Sequence, residues 1–299
     1  IRFGQRSWTY RQLITAAVAF ADDLVREGVR EGDRVAFLGR NSDAYAIGFL
    51  ATQYLGAIHV PVNFMLGCHE VAYILDHAAP TLLLADAEFM DTASAAVGAV
   101  QANVTCCPLE VTVAVDAELP RATGLGSNAS RPAQLAYTSG TESAPKGALL
   151  SDQGLIHQYM SCIAVGEYRS DDVVLHALPL YHCAQLHCFL IPYLFLGAEN
   201  IILDRVDIGE VIEIIEANGV ASFFAPPTVW IGILGHPTFS PDRLATLSKG
   251  YYGASIMPTE VIQQMRRQLP WLRVWNYYGQ TEIGPLATAL TPEEHADRP

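Results

Sequence analysis

The feature that most constrains this chain is an alternation of helical periodicity with short apolar runs, sustained almost from end to end. Thr9 and Gln12 have the spacing of a capping box, Leu13, Ala17, Phe20 and Leu24 share one helical face, and Gly28 suits the C-terminal cap. Arg34 to Leu38, Ile58 to Val62, Thr81 to Ala85 and Glu110 to Val115 read as strands, with helices near 43–55, 69–78 and 88–102 between them. The second half repeats the theme, with strands near 173–178, 200–203, 221–225, 249–252 and 272–276 and helices near 184–196, 207–217 and 258–268. Strands that are apolar on both faces belong in parallel sheets covered by helices, because each face needs an apolar partner. The expected fold is therefore α/β, with two parallel-rich sheets flanked by helices and subdomains at 1–168 and 169–299.

Charge and composition exclude several classes. Eighteen basic against thirty-one acidic side chains leave a net charge of −13, which opposes binding to a phosphate backbone, so nucleic acid is not an expected partner. Val173 to Ala198 contains no Asp, Glu, Lys or Arg. Pro179, Pro192, three histidines and Gln185 nevertheless interrupt it, and its apolar run Phe189 to Leu196 is far shorter than the roughly 20 residues a bilayer requires, so no transmembrane segment is expected. Six cysteines without CxxC spacing fit a reduced, cytoplasmic protein. The first ten residues carry neither a signal-peptide pattern nor an initiator Met.

One segment stands out chemically. Between the strand-like Gln134 to Tyr137 and a helix opening near Asp152 lies Thr138-Ser139-Gly140-Thr141-Glu142-Ser143-Ala144-Pro145-Lys146-Gly147. Polyphosphate oxygens only accept hydrogen bonds, so a loop rich in hydroxyls, accessible backbone N–H groups and a cation suits them. Lys146 is one of only two lysines, the other being Lys249. Composition alone would favour an ordinary Ser/Thr/Gly turn. The nucleoside-triphosphatase loop is excluded, because Pro145 and Gly147 flank Lys146 where that motif needs Gly and Ser/Thr.

The segment resembles the phosphate loop TSGTTGxPKG of adenylate-forming enzymes, the acyl-CoA synthetases, adenylation domains and firefly luciferase. It departs at Glu142, a carboxylate, and at Ser143, which replaces a glycine at a penalty of about 1 kcal/mol if positive φ is required there. Further similar motifs follow in family order: Trp8 to Leu13, Gly32-Asp33-Arg34-Val35-Ala36, Gly56 to Asn63, Leu178-Pro179-Leu180-Tyr181-His182, Gly253-Ala254-Ser255 and Tyr278-Gly279-Gln280-Thr281-Glu282. Beyond Glu282 nothing matches the ribose-binding Asp, hinge and lysine-bearing small domain of the family, so the resemblance implies the large N-terminal portion of a longer ligase.

The resemblance implies ATP, Mg²⁺ and coenzyme A as reactants and cofactor, and a small carboxylic acid, a fatty acid foremost, as substrate. Thr138, Ser139, Gly140, Thr141, Lys146 and Gly147 would bind the β- and γ-phosphates, Thr281 the α-phosphate, and Glu282 the Mg²⁺. Tyr278, Gly279 and Gln280, with Gly253, Ala254 and Ser255, would form the adenine side, and Lys146, Thr281 and Glu282 would carry catalysis. His182 matches a gate residue beside the substrate carboxylate, and Ala184, Phe224, Trp230 and Ser255 are candidate walls. Amino-acid adenylation domains carry an Asp at the gate position, absent here, so an α-ammonium group would be desolvated without a partner. An aryl-acid or peptide-synthetase-type adenylation domain and a non-catalytic nucleotide- or acyl-binding module are the alternatives.

Overall fold

The structure, a computed structural model, describes residues 1–111, 130–138 and 145–297. The elements run β1 (Arg2–Phe3), β2 (Arg6–Ser7), α1 (Tyr10–Arg26), β3 (Arg34–Leu38), α2 (Asp43–Leu55), β4 (Ile58–Val62), α3 (Cys68–Ala78), β5 (Leu82–Ala85), α4 (Met90–Ala99), β6 (Thr105–Pro108), β7 (Pro132–Thr138) and β8 (Lys146–Ser151). They continue with α5 (Asp152–Gly166), β9 (Val173–His176), a π-helical segment Ala184–Leu190 leading into α6 (Ile191–Leu196), β10 (Glu199–Ile202), α7 (Ile208–Asn218) and β11 (Ser222–Phe224). Last come α8 (Pro227–Gly235), β12 (Lys249–Gly253), α9 (Thr259–Gln268), β13 (Arg273–Gly279), β14 (Leu286–Leu290) and α10 (Pro292–Asp297).

The chain forms two compact units: one of Ile1, Arg6–Ile156 and Leu180–His182, the other of Arg2–Gln5, His157–Pro179 and Cys183–Pro299. In the first, the sheet order is β6-β5-β3-β4-β7-β8, parallel except for the antiparallel pair β7–β8. In the second, the order β14-β13-β12-β11-β9-β10-β1 is parallel except for β13–β14. Both are α/β layers with parallel-rich sheets, as the alternation predicts.

Local chemistry sets the element ends. Thr9 and Gln12 close the expected capping box, with Gln12 N donating to Thr9 Oγ1 at 3.3 Å and Thr9 N to Gln12 Oε1 at 2.8 Å. In the second unit the strands bury both faces: Val174, Phe224, Trp275 and Tyr277 enter an aromatic cluster, whereas their neighbours Leu175 and Phe223 enter an aliphatic one around Val211, Ile212 and Ile215. This two-sided burial is why the strands read as continuous apolar runs.

Several elements differ from the expectation. The strand beside β5 is β6, upstream of Glu110 and Val111, which lie outside any strand; 112–115 fall outside the described residues. Cys106 and Cys107 pair with Leu83 and Leu84 there. The edge strands β8 and β14 and the helices α8 and α10 add to the expected set. Pro227 opens α8, where the missing N–H of the first helical position has no partner to lose. Among the described residues no helix is long and apolar enough to cross a membrane.

Candidate active site

The phosphate-loop candidate is the connection of the β7–β8 hairpin. Thr138 pairs with Lys146 and Tyr137 with Gly147 in antiparallel register, so the threonine and the lysine stand opposite each other where the strands part. Ser139, Gly140, Thr141, Glu142 and Ser143 lie outside the described residues. Lys146 is exposed. Two α3 side chains brace the hairpin: Tyr73 Oη donates to Pro145 O at 3.2 Å, and His77 Nδ1 shares a 2.7 Å hydrogen bond with Tyr137 Oη. Burial pushes the Tyr137 hydroxyl up to about 12, so it remains a neutral partner for His77. Tyr73 and His77 escaped the sequence reading, although their i,i+4 spacing on a predicted helix puts them on one face.

The segment holding His182 is fixed from below within the same unit. Leu180 N donates to buried Asn41 Oδ1 at 2.7 Å, and the Tyr181 ring meets Phe64 edge-on at 5.3 Å. His182 lies against Tyr181 with ring centroids 4.5 Å apart. Although the residue is exposed overall, desolvation by the surrounding protein lowers its pKa from the ordinary 6.5, which favours a neutral imidazole near neutral pH.

The second unit gathers the remaining motif residues at the ends of β12 and β13. These strands are parallel neighbours with Gly253 opposite Tyr277, so Gly253-Ala254-Ser255 and Tyr278-Gly279-Gln280-Thr281 emerge side by side. The approach requires glycine: a Cβ on Gly253 would sit 2.4 Å from Tyr277 O, and one on Gly279 would sit 1.8 Å from Pro285 O. Ala254 holds a left-handed φ of 65°, a conformation that non-glycine residues adopt at an energetic penalty.

Strand alternation then separates the two tyrosines. Tyr277 is buried with its ring against Phe189, whereas Tyr278 is 59% exposed. Tyr278 borders two cavities. One, of about 400 Å³, is lined by Ala254, Ser255, Ile256, Asn276 and Gly279. The other, of about 190 Å³, is lined by Cys183, Ala184, Cys188, Phe189, Phe224 and Leu286, with Thr281 and Gln280 also bordering it. Phe189 and Phe224 stack at 4.4 Å, giving this cavity a flat aromatic wall.

Thr281 and Glu282 occupy the 3-10 turn Thr281–Ile283. Thr281 is half-buried, with its Oγ1 3.3 Å from Cys183 Sγ, and Glu282 is exposed. Among the described residues no three His, Cys, Asp or Glu side chains gather as a metal cage. A single exposed carboxylate such as Glu282 fits Mg²⁺ that draws most of its oxygen ligands from phosphate and water.

The structure thus brings Gly253, Ala254, Ser255, Tyr278, Gly279, Gln280 and Thr281 together around cavities in one unit, and Thr138, Lys146 and Gly147 together on a hairpin of the other. Trp230 is not among the cavity-lining residues: it is fully buried, edge-on to Phe223 at 5.6 Å, with Nε1 donating to Tyr251 O at 3.1 Å. Its side chain packs into the largely aliphatic core cluster. Lys249 is also internal, its Nζ 2.6 Å from Asp172 Oδ2 and 2.8 Å from Glu167 O. The sequence reading missed Cys183, Cys188 and Phe189 as lining residues; their only signal was an apolar run broken by polar side chains.

Comparison with known proteins gives this geometry its context. The model of the AMP-binding enzyme family matches residues 1–299. A feruloyl-CoA synthase of Amycolatopsis sp is 30% identical over 299 residues, spanning 100% of this chain and 59% of that protein. A long-chain-fatty-acid–CoA ligase of Thermus thermophilus is 28% identical over 306 residues, spanning 97% and 54% respectively. Among solved structures, ATP-bound MatB from Rhodopseudomonas palustris superposes with a TM-score of 0.83 at 25% identity, covering 94% of this chain and 56% of that one. The chain therefore spans little more than half the length of these relatives. Its full-length family match, and the fold it shares with MatB, establish that it belongs to the AMP-binding enzyme family.

Proposed function

We propose that the whole protein is an ATP-dependent acid–thiol ligase. A carboxylate oxygen of the substrate attacks the α-phosphorus of ATP, pyrophosphate leaves, and an acyl-adenylate forms; the thiol of coenzyme A then attacks the acyl carbon and AMP departs. The observation that carries the reading is the exposed Tyr278 ring between two cavities, with the backbone of Ala254 and Gly279 on one side and an aromatic pocket on the other. One cavity suits a planar base and the other an acyl group.

Such chemistry depends on positioning and charge neutralisation. In this reading Thr138, Ser139, Gly140, Thr141, Lys146 and Gly147 bind the β- and γ-phosphates, Thr281 donates to the α-phosphate, and Tyr278 stacks on adenine beside Gly253, Ala254, Ser255, Gly279 and Gln280. His182, uncharged, flanks the substrate carboxylate. Glu282 would hold Mg²⁺, which supplies charge neutralisation on the phosphates when bound. A cytoplasmic setting would keep the six cysteines, all free, as thiols.

A fatty acid is the substrate the sequence favours, and the Thermus thermophilus relative is named for one. The cavity favours a second reading, a compact planar acid. Its volume of about 190 Å³ lies below the roughly 300 Å³ at which pockets for drug-sized ligands begin, and its wall is the stacked pair Phe189–Phe224. ATP–pyrophosphate exchange by the whole protein across aryl, short-chain and long-chain acids tests both. The expected result is exchange that is strongest with aryl acids. Exchange strongest with long-chain acids would return the substrate to the fatty class, and none with any acid would support a non-catalytic binding module.

A further inference from the structure

Thr281 stands on a turn whose backbone is already fixed. Gln280 N donates to Pro285 O at 2.9 Å, Ile283 N to Gln280 O at 3.2 Å, and Gly284 N to Thr281 O at 3.2 Å. What the turn leaves open is the side-chain rotamer and the direction of the hydroxyl proton. A side-chain contact reaches Thr281 from a residue 98 positions earlier, the buried Cys183 that heads the π-helical segment.

We propose that Cys183 is a positioning residue, donating its S–H to Thr281 Oγ1 so that the threonine hydroxyl proton turns into the cavity as a donor to a phosphate oxygen. The proposal rests on the ligase reading above. A hydroxyl has one proton and two acceptor positions, and phosphate oxygens only accept. If Thr281 gave its proton to sulfur, lone pairs would face the anionic ligand; if sulfur gives its proton to Thr281, the O–H remains for the phosphate. Burial holds the Cys183 thiol above its ordinary pKa against the lowering effect of its hydrogen bonds with Thr281 and the local backbone, so the sulfur stays protonated near neutral pH and can donate. Both residues border the same cavity, which puts the relay at the ligand and not in remote core.

The test compares wild type, C183A, C183S and the Thr281→Ala background by ATP–pyrophosphate exchange in the whole protein. C183A is expected to lower kcat by about threefold to tenfold, the range of one neutral hydrogen bond, with KM for the acid unchanged. C183S, which retains a donor, should recover wild-type exchange to within about twofold, and C183A should add nothing in the Thr281→Ala background. An effect of C183A that C183S does not rescue, or that adds fully to Thr281→Ala, would show a packing role and overturn the proposal, as would C183A behaving like wild type. These outcomes all occur in an enzyme that exchanges. Absence of exchange in wild type would overturn the ligase reading itself, and the positioning role with it.

Discussion

The two hairpins that end the sheets make an instructive pair. β7–β8 and β13–β14 each turn a parallel sheet back on itself with one antiparallel strand, and each carries a motif at the turn. The first presents exposed side chains: Lys146 is exposed, and Leu149 beyond it is 60% exposed. The second presents it through backbone shape, with Gly279 so close to Pro285 O that no side chain fits. In the proposed reading, phosphate recognition would fall on an exposed hairpin, whereas the adenine side would be bound up with folding. The same contrast separates the two lysines, exposed Lys146 and buried Lys249.

The largest effect should come from the buried lysine, and it should fall on stability. Lys249→Met leaves the Asp172 carboxylate buried without its cation, a loss of about 3 to 5 kcal/mol in urea unfolding. Adding Asp172→Leu removes the stranded charge and should recover much of that loss. Next is Lys146→Ala, expected to slow ATP–pyrophosphate exchange about 100-fold to 1,000-fold, the scale of one charge-stabilising group in a transition state, with melting temperature unchanged. Similar stability losses from the two lysine substitutions would dissolve the distinction between them.

Gly279→Ala should mix the two behaviours. Forcing a methyl group against Pro285 O is expected to destabilise the fold by about 1 to 3 kcal/mol and to weaken nucleotide binding in parallel, read by thermal unfolding and calorimetry on one preparation. The smallest change is Tyr278→Ala. An exposed ring contributes little to folding, so only the roughly 1 kcal/mol of stacking on adenine should disappear, seen as about fivefold weaker ATP binding. Loss of stability in place of affinity would assign Tyr278 to packing.

Much of this was legible in the sequence for physical reasons. Strands such as Arg34–Leu38 and Ile58–Val62 are apolar on both faces, and helices such as Asp43–Leu55 carry their own caps, so local pattern and tertiary role coincide. The edge strands did not announce themselves: Lys146–Ser151 and Leu286–Leu290 are half-exposed, and their pairing is settled by the neighbouring strand. As adjacent tyrosines Tyr277 and Tyr278 differ only in motif position, and strand register sends Tyr277 inward and Tyr278 out. Trp230 is ambiguous for the opposite reason, since a large aromatic residue serves a core or a pocket wall equally well, and the structure buries it completely. The contact of Cys183 with Thr281 has no periodic signature, because it joins two turns 98 residues apart.

The central claim is that the substrate carboxylate attacks the α-phosphorus of ATP, and isotope transfer tests it most directly. An acid labelled with ¹⁸O in its carboxyl group is incubated with ATP, Mg²⁺, coenzyme A and the whole protein, and the products are analysed by mass spectrometry. The expected result is one labelled oxygen in the phosphate of AMP, unlabelled pyrophosphate, and formation of both products slowed about 100-fold to 1,000-fold in Lys146→Ala. Label in inorganic phosphate with ADP as the nucleotide product would mean attack at the γ-phosphorus and an acyl phosphate, and would contradict the account.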